Sequence, residues 1–205
     1  MARVLFLVLL MASSAAYANT ILILGDSLSA GYRMQADQAW PQLLAKQWQS
    51  EQPELTLINA SVSGDTTQGG LQRLPALLKR HQPDWVLLEL GGNDGLRGLP
   101  PRAIENNLTT MIELAQQSGA KVILTEIQLP PNYGRRYLSQ FEAIFTTLAK
   151  QHDLEVLPFF VAPLIEQDGM MMEDGIHPTA KAQASIAQQV HTFLTPLVER
   201  KANSS

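Results

Sequence analysis

Five short apolar runs, at residues 21–24, 55–58, 85–90, 121–127 and 154–160, are spaced widely along the chain. Each is near-continuous rather than alternating, the pattern of strands buried on both faces. The stretches between them carry apolar residues at helical spacing instead. Trp40, Leu43, Leu44 and Trp48 share a face, with Pro41 suited to an early helical position. Leu71, Leu74, Leu77 and Leu78 form a second stripe, in which Pro75 predicts a kink or a late helix start. Ile104, Leu108, Met111, Ile112 and Ala115 form a third, ended by Gly119, and Phe141, Ile144, Phe145 and Leu148 a fourth. A last helix is expected over residues 178–197. Strands alternating with helices require crossover connections and therefore a parallel sheet covered on both faces. The expectation is a three-layer α/β/α, flavodoxin-like fold with a five-stranded parallel sheet. In the strand order 2-1-3-4-5 of such folds, strands one and three adjoin at a switch point, and ligands bind beyond the carboxyl ends of the strands there.

The first 18 residues have a different character. Arg3 precedes an apolar run from Val4 to Met11, and small residues follow, ending Ala16-Tyr17-Ala18. That is the layout of a secretory signal peptide, with cleavage expected after Ala18 and Asn19 as the first mature residue. The run is too short to span a bilayer, which takes about 20 residues, and the competing reading is an uncleaved N-terminal anchor. Residues 19–205 are then expected to form a single domain, exported to the periplasm and free of stable membrane insertion. The chain has no cysteine, which removes disulfides, thiolate catalysis and thiolate metal sites. A formal net charge of −4 without a Lys/Arg block does not suit nucleic-acid phosphates. Nothing in the sequence calls for a partner chain, and a monomer is the expectation.

Polar clusters sit where the fold places strand ends: Gly25-Asp26-Ser27, the segment from Asn59 to Asp65, Gly91-Gly92-Asn93-Asp94, and Asp174-Gly175-Ile176-His177-Pro178. Each has a plain structural reading, because glycine and asparagine make turns and aspartate and serine cap helices. Together they also supply what acyl transfer needs. Ser27 is a candidate nucleophile and His177 a candidate base, since His81, His152 and His191 belong to helical stripes or their ends. Asp174, three residues before His177, is placed to receive a ring N–H and fix the tautomer. The Gly64 N–H and the Asn93 amide are candidate oxyanion donors. No G-x-S-x-G elbow is present, so the chain is not a typical α/β-hydrolase. Two other classes compete: a metal-dependent phosphohydrolase using Asp26, Asp65, Asp94, Asp174 and His177 as hard ligands, and a non-catalytic binding module.

The ordered blocks Gly25-Asp26-Ser27-Leu28, Gly64, Gly91-Gly92-Asn93-Asp94 and Asp174-Gly175-Ile176-His177-Pro178 resemble those of the SGNH, or GDSL, hydrolases. The resemblance implies Ser27 as nucleophile, with His177 and Asp174 completing a triad. It implies an oxyanion hole made by the Ser27 N–H, the Gly64 N–H and the Asn93 side chain, with no metal and no cofactor. The stretches GDSLSAGYRM, RLPALLKRHQP, ELGGNDGLRG, LPPNYGRRY and DGIHPT are similar to exported, multifunctional Gram-negative members of that family. That likeness implies hydrolysis of small-molecule acyl esters and thioesters: arylesterase, acyl-CoA thioesterase and lysophospholipase activities.

Three further features carry two readings each. Leu96 and Leu99, between glycines and two prolines, either close over an acyl chain or decorate a surface turn. Arg135 and Arg136 either meet an anionic group or are solvated. Met170, Met171 and Met172 either edge an acyl pocket or pack locally. Asp26 and Asp94 are expected to fix their loops by accepting backbone N–H groups.

Overall fold

The computed structural model describes residues 19–202. The proposed leader, residues 1–18, lies outside them. The strands are β1 (Asn19–Gly25), β2 (Leu55–Asn59), β3 (Trp85–Glu89), β4 (Lys121–Thr125) and β5 (Glu155–Leu157). They form one parallel sheet in the order β2-β1-β3-β4-β5, the order expected. The principal helices are α1 (Ser27–Ala30), α2 (Trp40–Glu51), α3 (Thr67–His81), α4 (Gly92–Leu96), α5 (Pro101–Gln117), α6 (Arg135–His152) and α7 (Gln183–Ala202).

Side chains along each strand alternate between two cores. Ile21, Ile23 and Leu87 pack with Trp40, Leu44 and Trp48 of α2 and with Ile186, Val190 and Leu194 of α7. Leu22, Leu24 and Leu88 pack on the other face against Leu74 of α3, Met111 of α5 and Phe141 of α6. Each fully buried large side chain of this kind contributes about 1.5–3 kcal/mol. Trp48 Nε1 donates to His191 Nδ1 at 3.1 Å, which ties α2 to α7 and commits that histidine to packing.

Three boundaries differ from the sequence expectation. Pro75 neither delays nor ends α3, which begins at Thr67 and runs through it. The Thr66 side chain accepts the Gly69 N–H, and Leu74 and Leu78 are buried on either side of the proline, enough to outweigh one lost backbone bond. β4 and β5 are shorter than their apolar runs. Pro158 has no N–H to continue the ladder after Leu157, and Ile127 and Phe159, beyond the strand ends, line a cavity. The last helix starts later than residue 178, because Pro178 bridges to Met171 and the Thr179 N–H donates to the Met170 carbonyl at 2.8 Å.

Candidate active site

β1 ends on Gly25, where a Cβ would lie 2.6 Å from Glu89 Oε2 and 2.9 Å from Ser61 Oγ. Only glycine fits so close an approach. Asp26 then caps the single turn of α1, its Oδ1 accepting the Leu28 N–H at 3.0 Å. Ser27 is the first residue of that turn, so its N–H has no intrahelical partner. Gly31 closes the turn at φ +76°.

On the neighbouring strand, the chain leaves β3 through Gly91 and enters α4. Asn93 Nδ2 donates to Asp26 Oδ2 at 2.9 Å, so the first and third sequence blocks meet at the switch point. Asp94 accepts the Thr67 N–H at 2.9 Å and the Thr67 hydroxyl at 2.6 Å, clamping α4 to α3. Asp26 and Asp94 therefore hold their loops as expected. Gly64, at φ +79°, lies in the β2–α3 loop, which the Val62 N–H anchors to the Gly25 carbonyl at 3.0 Å. Arg97 Nη2 donates to the Gly64 carbonyl at 3.1 Å, and the Gly64 N–H is not used in any hydrogen bond among the described residues.

The last block arrives from the far end of the sequence. Asp174 Oδ1 accepts the Ile176 and His177 N–H groups, each at 2.9 Å, and forms a tight turn through Gly175. His177 Nδ1 lies 2.8 Å from Asp174 Oδ2, and His177 Nε2 lies 2.9 Å from Ser27 Oγ. A hydroxyl, an imidazole and a carboxylate thus stand in one hydrogen-bonded line. Partial burial works to raise the Asp174 pKa, but the two backbone donors and the His177 ring outweigh it and hold it at about 2. Asp26 moves the other way. Burial lifts it to about 6 against the opposing Leu28 N–H, the His177 charge and the Asn93 amide.

The line opens into an apolar cavity of about 340 Å³, with Leu28, Leu96, Ile127, Phe159, Ile165 and Met171 among its walls. Leu96 therefore faces the cavity, whereas Leu99 is 38% exposed and is not part of its lining. The segment expected as a loop after Asn93 begins as helix α4, and the Tyr133 and Tyr137 hydroxyls donate to the Leu96 and Leu99 carbonyls at 2.8 and 2.7 Å. Met171 lines the cavity and also packs on the core with Met170. Arg135 and Arg136 are exposed at the start of α6 rather than in a loop, away from the cavity lining. A second hollow of about 430 Å³, with polar and apolar walls that include Trp85, Lys121 and Glu155, lies at the opposite strand ends; its lining holds neither serine nor histidine.

The metal reading fails on partners. Asp65 pairs with Arg73, Asp94 with Thr67, Asp26 with Asn93, and Asp174 with His177. Among the described residues no three His, Cys, Asp or Glu side chains are placed to share an ion.

Sequence reasoning did not find Tyr32, which stacks on His177, or Glu89, which lies beneath the Ser27 turn. Glu89 had one available signal, an acid inside an apolar run.

Residues 23–184 match the GDSL-like lipase/acylhydrolase family model. The chain is 54% identical to the thioesterase 1/protease 1/lysophospholipase L1 of Escherichia coli K12, over 95% of this chain and 91% of that one. It is 48% identical to the arylesterase of Vibrio mimicus, over 93% and 96%. The crystal structure of psychrotrophic esterase EstA from a Pseudoalteromonas species, inhibited by monoethylphosphonate, superposes with a TM-score of 0.86 at 41% identity, covering 88% of this chain and 99% of that one.

Proposed function

Because the chain belongs to the GDSL-like lipase/acylhydrolase family and is an ester-hydrolysing enzyme, we propose that it cleaves acyl esters and thioesters through an acyl-enzyme at Ser27. The observation that carries this is the line from Ser27 Oγ through the His177 ring to Asp174, at 2.9 and 2.8 Å, opening into an apolar cavity.

His177 Nε2 takes the Ser27 proton as Oγ attacks the acyl carbonyl, and Asp174 holds the ring through Nδ1. The tetrahedral oxyanion is stabilised by the Ser27 N–H, the Gly64 N–H and the Asn93 amide. Asn93 has two N–H bonds, one spent on Asp26 and one left for the oxyanion. Collapse breaks the C–O or C–S bond, and His177 gives its proton to the departing alcohol or thiol. Water, deprotonated by the same ring, then attacks the acyl-serine, and the second collapse returns Ser27 and releases the carboxylic acid. Activating the hydroxyl and the water in this way needs no metal or cofactor.

The apolar cavity suits the acyl chain. The names of the relatives point to aryl esters, thioesters and lysophospholipids as substrate classes, and acyl-CoA is the thioester of this proposal. The export reading fits an enzyme that loses residues 1–18 and works as a monomer in the periplasm. Among the described residues, no helix is long and apolar enough to cross a membrane.

A fluorophosphonate probe is expected to add one phosphonyl group at Ser27 in wild type and none in Ser27→Ala. The same enzyme is expected to hydrolyse acyl substrates of all three classes. Labelling elsewhere, or turnover by Ser27→Ala, contradicts the assignment. Intact-mass analysis of exported protein is expected to show Asn19 first, and a product retaining residues 1–18 contradicts the export reading.

A further inference from the structure

Glu89 is the last residue of β3 and is completely buried. Its Oε2 accepts the Ser29 hydroxyl at 2.7 Å and the Asp26 N–H at 3.3 Å. Those two donors flank Ser27 on either side. Asp26, in turn, reaches across the switch point to Asn93. We infer that Glu89 is a positioning residue for the hydrolytic reaction, aiming the Ser27 N–H through its hold on the Asp26–Ser29 turn and the Asn93 amide through Asp26. This rests on the reading above that both groups stabilise the oxyanion.

The charge balance of the pair explains why an acid suits this position. No lysine, arginine or histidine bonds Glu89 among the described residues, and its Oε1 has no partner there. The charged groups acting on the pair are Asp26 itself, His177 and Asp65, and Asp65 is already paired with Arg73. A carboxylate buried beside another carboxylate without a cation is costly, so one of the two keeps its proton. Burial first, and then the Asp26 charge, push Glu89 well above the ordinary carboxylate range, whereas Asp26 has an N–H donor on each oxygen, from Leu28 and Asn93, and Glu89 Oε1 has none. Near neutral pH the proton stays on Glu89 and the negative charge on Asp26. Neutral Glu89 still accepts both donors, while charged Asp26 offers Asn93 a charge-assisted bond, stronger than a neutral one. An ionised Glu89 would drive Asp26 neutral and loosen Asn93.

Three variants of the purified enzyme test this against an aryl ester. Glu89→Ala is expected to lower kcat about ten- to a hundredfold with KM within about twofold, because misplaced oxyanion donors act on the transition state and not on binding. Glu89→Gln keeps an acceptor oxygen and no charge, and is expected to restore most of that kcat. The infrared spectrum of wild type minus that of Glu89→Gln, both at pH 8, is expected to show a protonated carboxylic-acid band. A Glu89→Gln variant as slow as Glu89→Ala, or wild type without the band, overturns the inference. So does Glu89→Ala with lowered Tm and unchanged kcat. If Glu89→Ala does not fold, Glu89→Gln and the infrared band still decide. Asn93→Ala, measured in parallel, separates the two levels: unchanged kcat there rejects the oxyanion reading itself, whereas a lowered kcat leaves any failure with Glu89.

Discussion

The ring of Tyr32 lies on the ring of His177, with centroids 4.2 Å apart and planes inclined by 29°. The hydrogen bonds to Ser27 and Asp174 fix the imidazole within its own plane, and Tyr32 supports its face. Such contacts are worth about 0.5–1.5 kcal/mol. Tyr32→Ala is therefore expected to lower kcat about two- to tenfold in steady-state assays. Tyr32→Phe keeps the ring, and the Tyr32 hydroxyl makes no hydrogen bond among the described residues, so it is expected to match wild type. Equal losses in both variants would assign the effect to the hydroxyl instead.

On the proposed mechanism, Asn93→Ala removes an oxyanion donor while leaving the apolar walls of the cavity in place. Its kcat is expected to fall about 10²–10³-fold with little change in KM. A change confined to KM would make Asn93 a substrate-binding group.

The cavity separates two leucines that the sequence treats alike. Leu96 lines it and Leu99 does not, so Leu96→Ala is expected to weaken kcat/KM for long acyl chains while sparing acetyl esters. Each buried methylene contributes about 0.8 kcal/mol. Leu99→Ala is expected to follow wild type across a series of aryl esters of graded chain length. A long-chain defect in Leu99→Ala as large as that in Leu96→Ala would show that the 94–101 segment closes over the substrate.

Asp26 has a cost in stability that depends on pH. Its folded-state pKa of about 6 exceeds the ordinary 3.8, so the folded protein holds this proton more tightly than the unfolded chain does. Below 3.8 both states are protonated and no penalty applies. Stability then falls as pH rises towards 6, and a cost of about 3 kcal/mol remains above it. Asp26→Asn cannot ionise, and its side chain can still cap α1. The difference in Tm, variant minus wild type, is expected to grow more positive from pH 4 to pH 7, measured by circular dichroism. A flat difference would show that Asp26 is not held above its ordinary value. The same variant is expected to lose kcat, because Asn93 then faces a neutral partner.

Patterns set by period and by chemical type were legible in the sequence. Near-continuous strands such as Ile21 to Leu24 announced a sheet covered on both sides, and the buried stripe of α5 matches its spacing residue for residue. Ser27, Asp174 and His177 were legible because each stands at a turn following a strand or preceding a helix. Their meeting was legible only through the family resemblance, since spacing alone does not bring together residues 150 positions apart. β5 ended early because one missing N–H at Pro158 outweighed the apolar character of the residues after it. Glu89 escaped notice because its neighbours made its run look uniformly apolar, and an acid's burial depends on partners from other strands and loops. Tyr32 escaped because stacking leaves no spacing rule to read.

The 150-residue gap between Ser27 and His177 also sets an order of events during biosynthesis. The proposed nucleophile is translated early and its proposed base late. At about 5–20 residues per second, the second follows the first by roughly 8–30 s. Through that interval the nascent chain carries Ser27 without the His177 ring beside it. On the proposed mechanism the chain stays inert until His177 has been made, and a product terminated before the last block lacks its base.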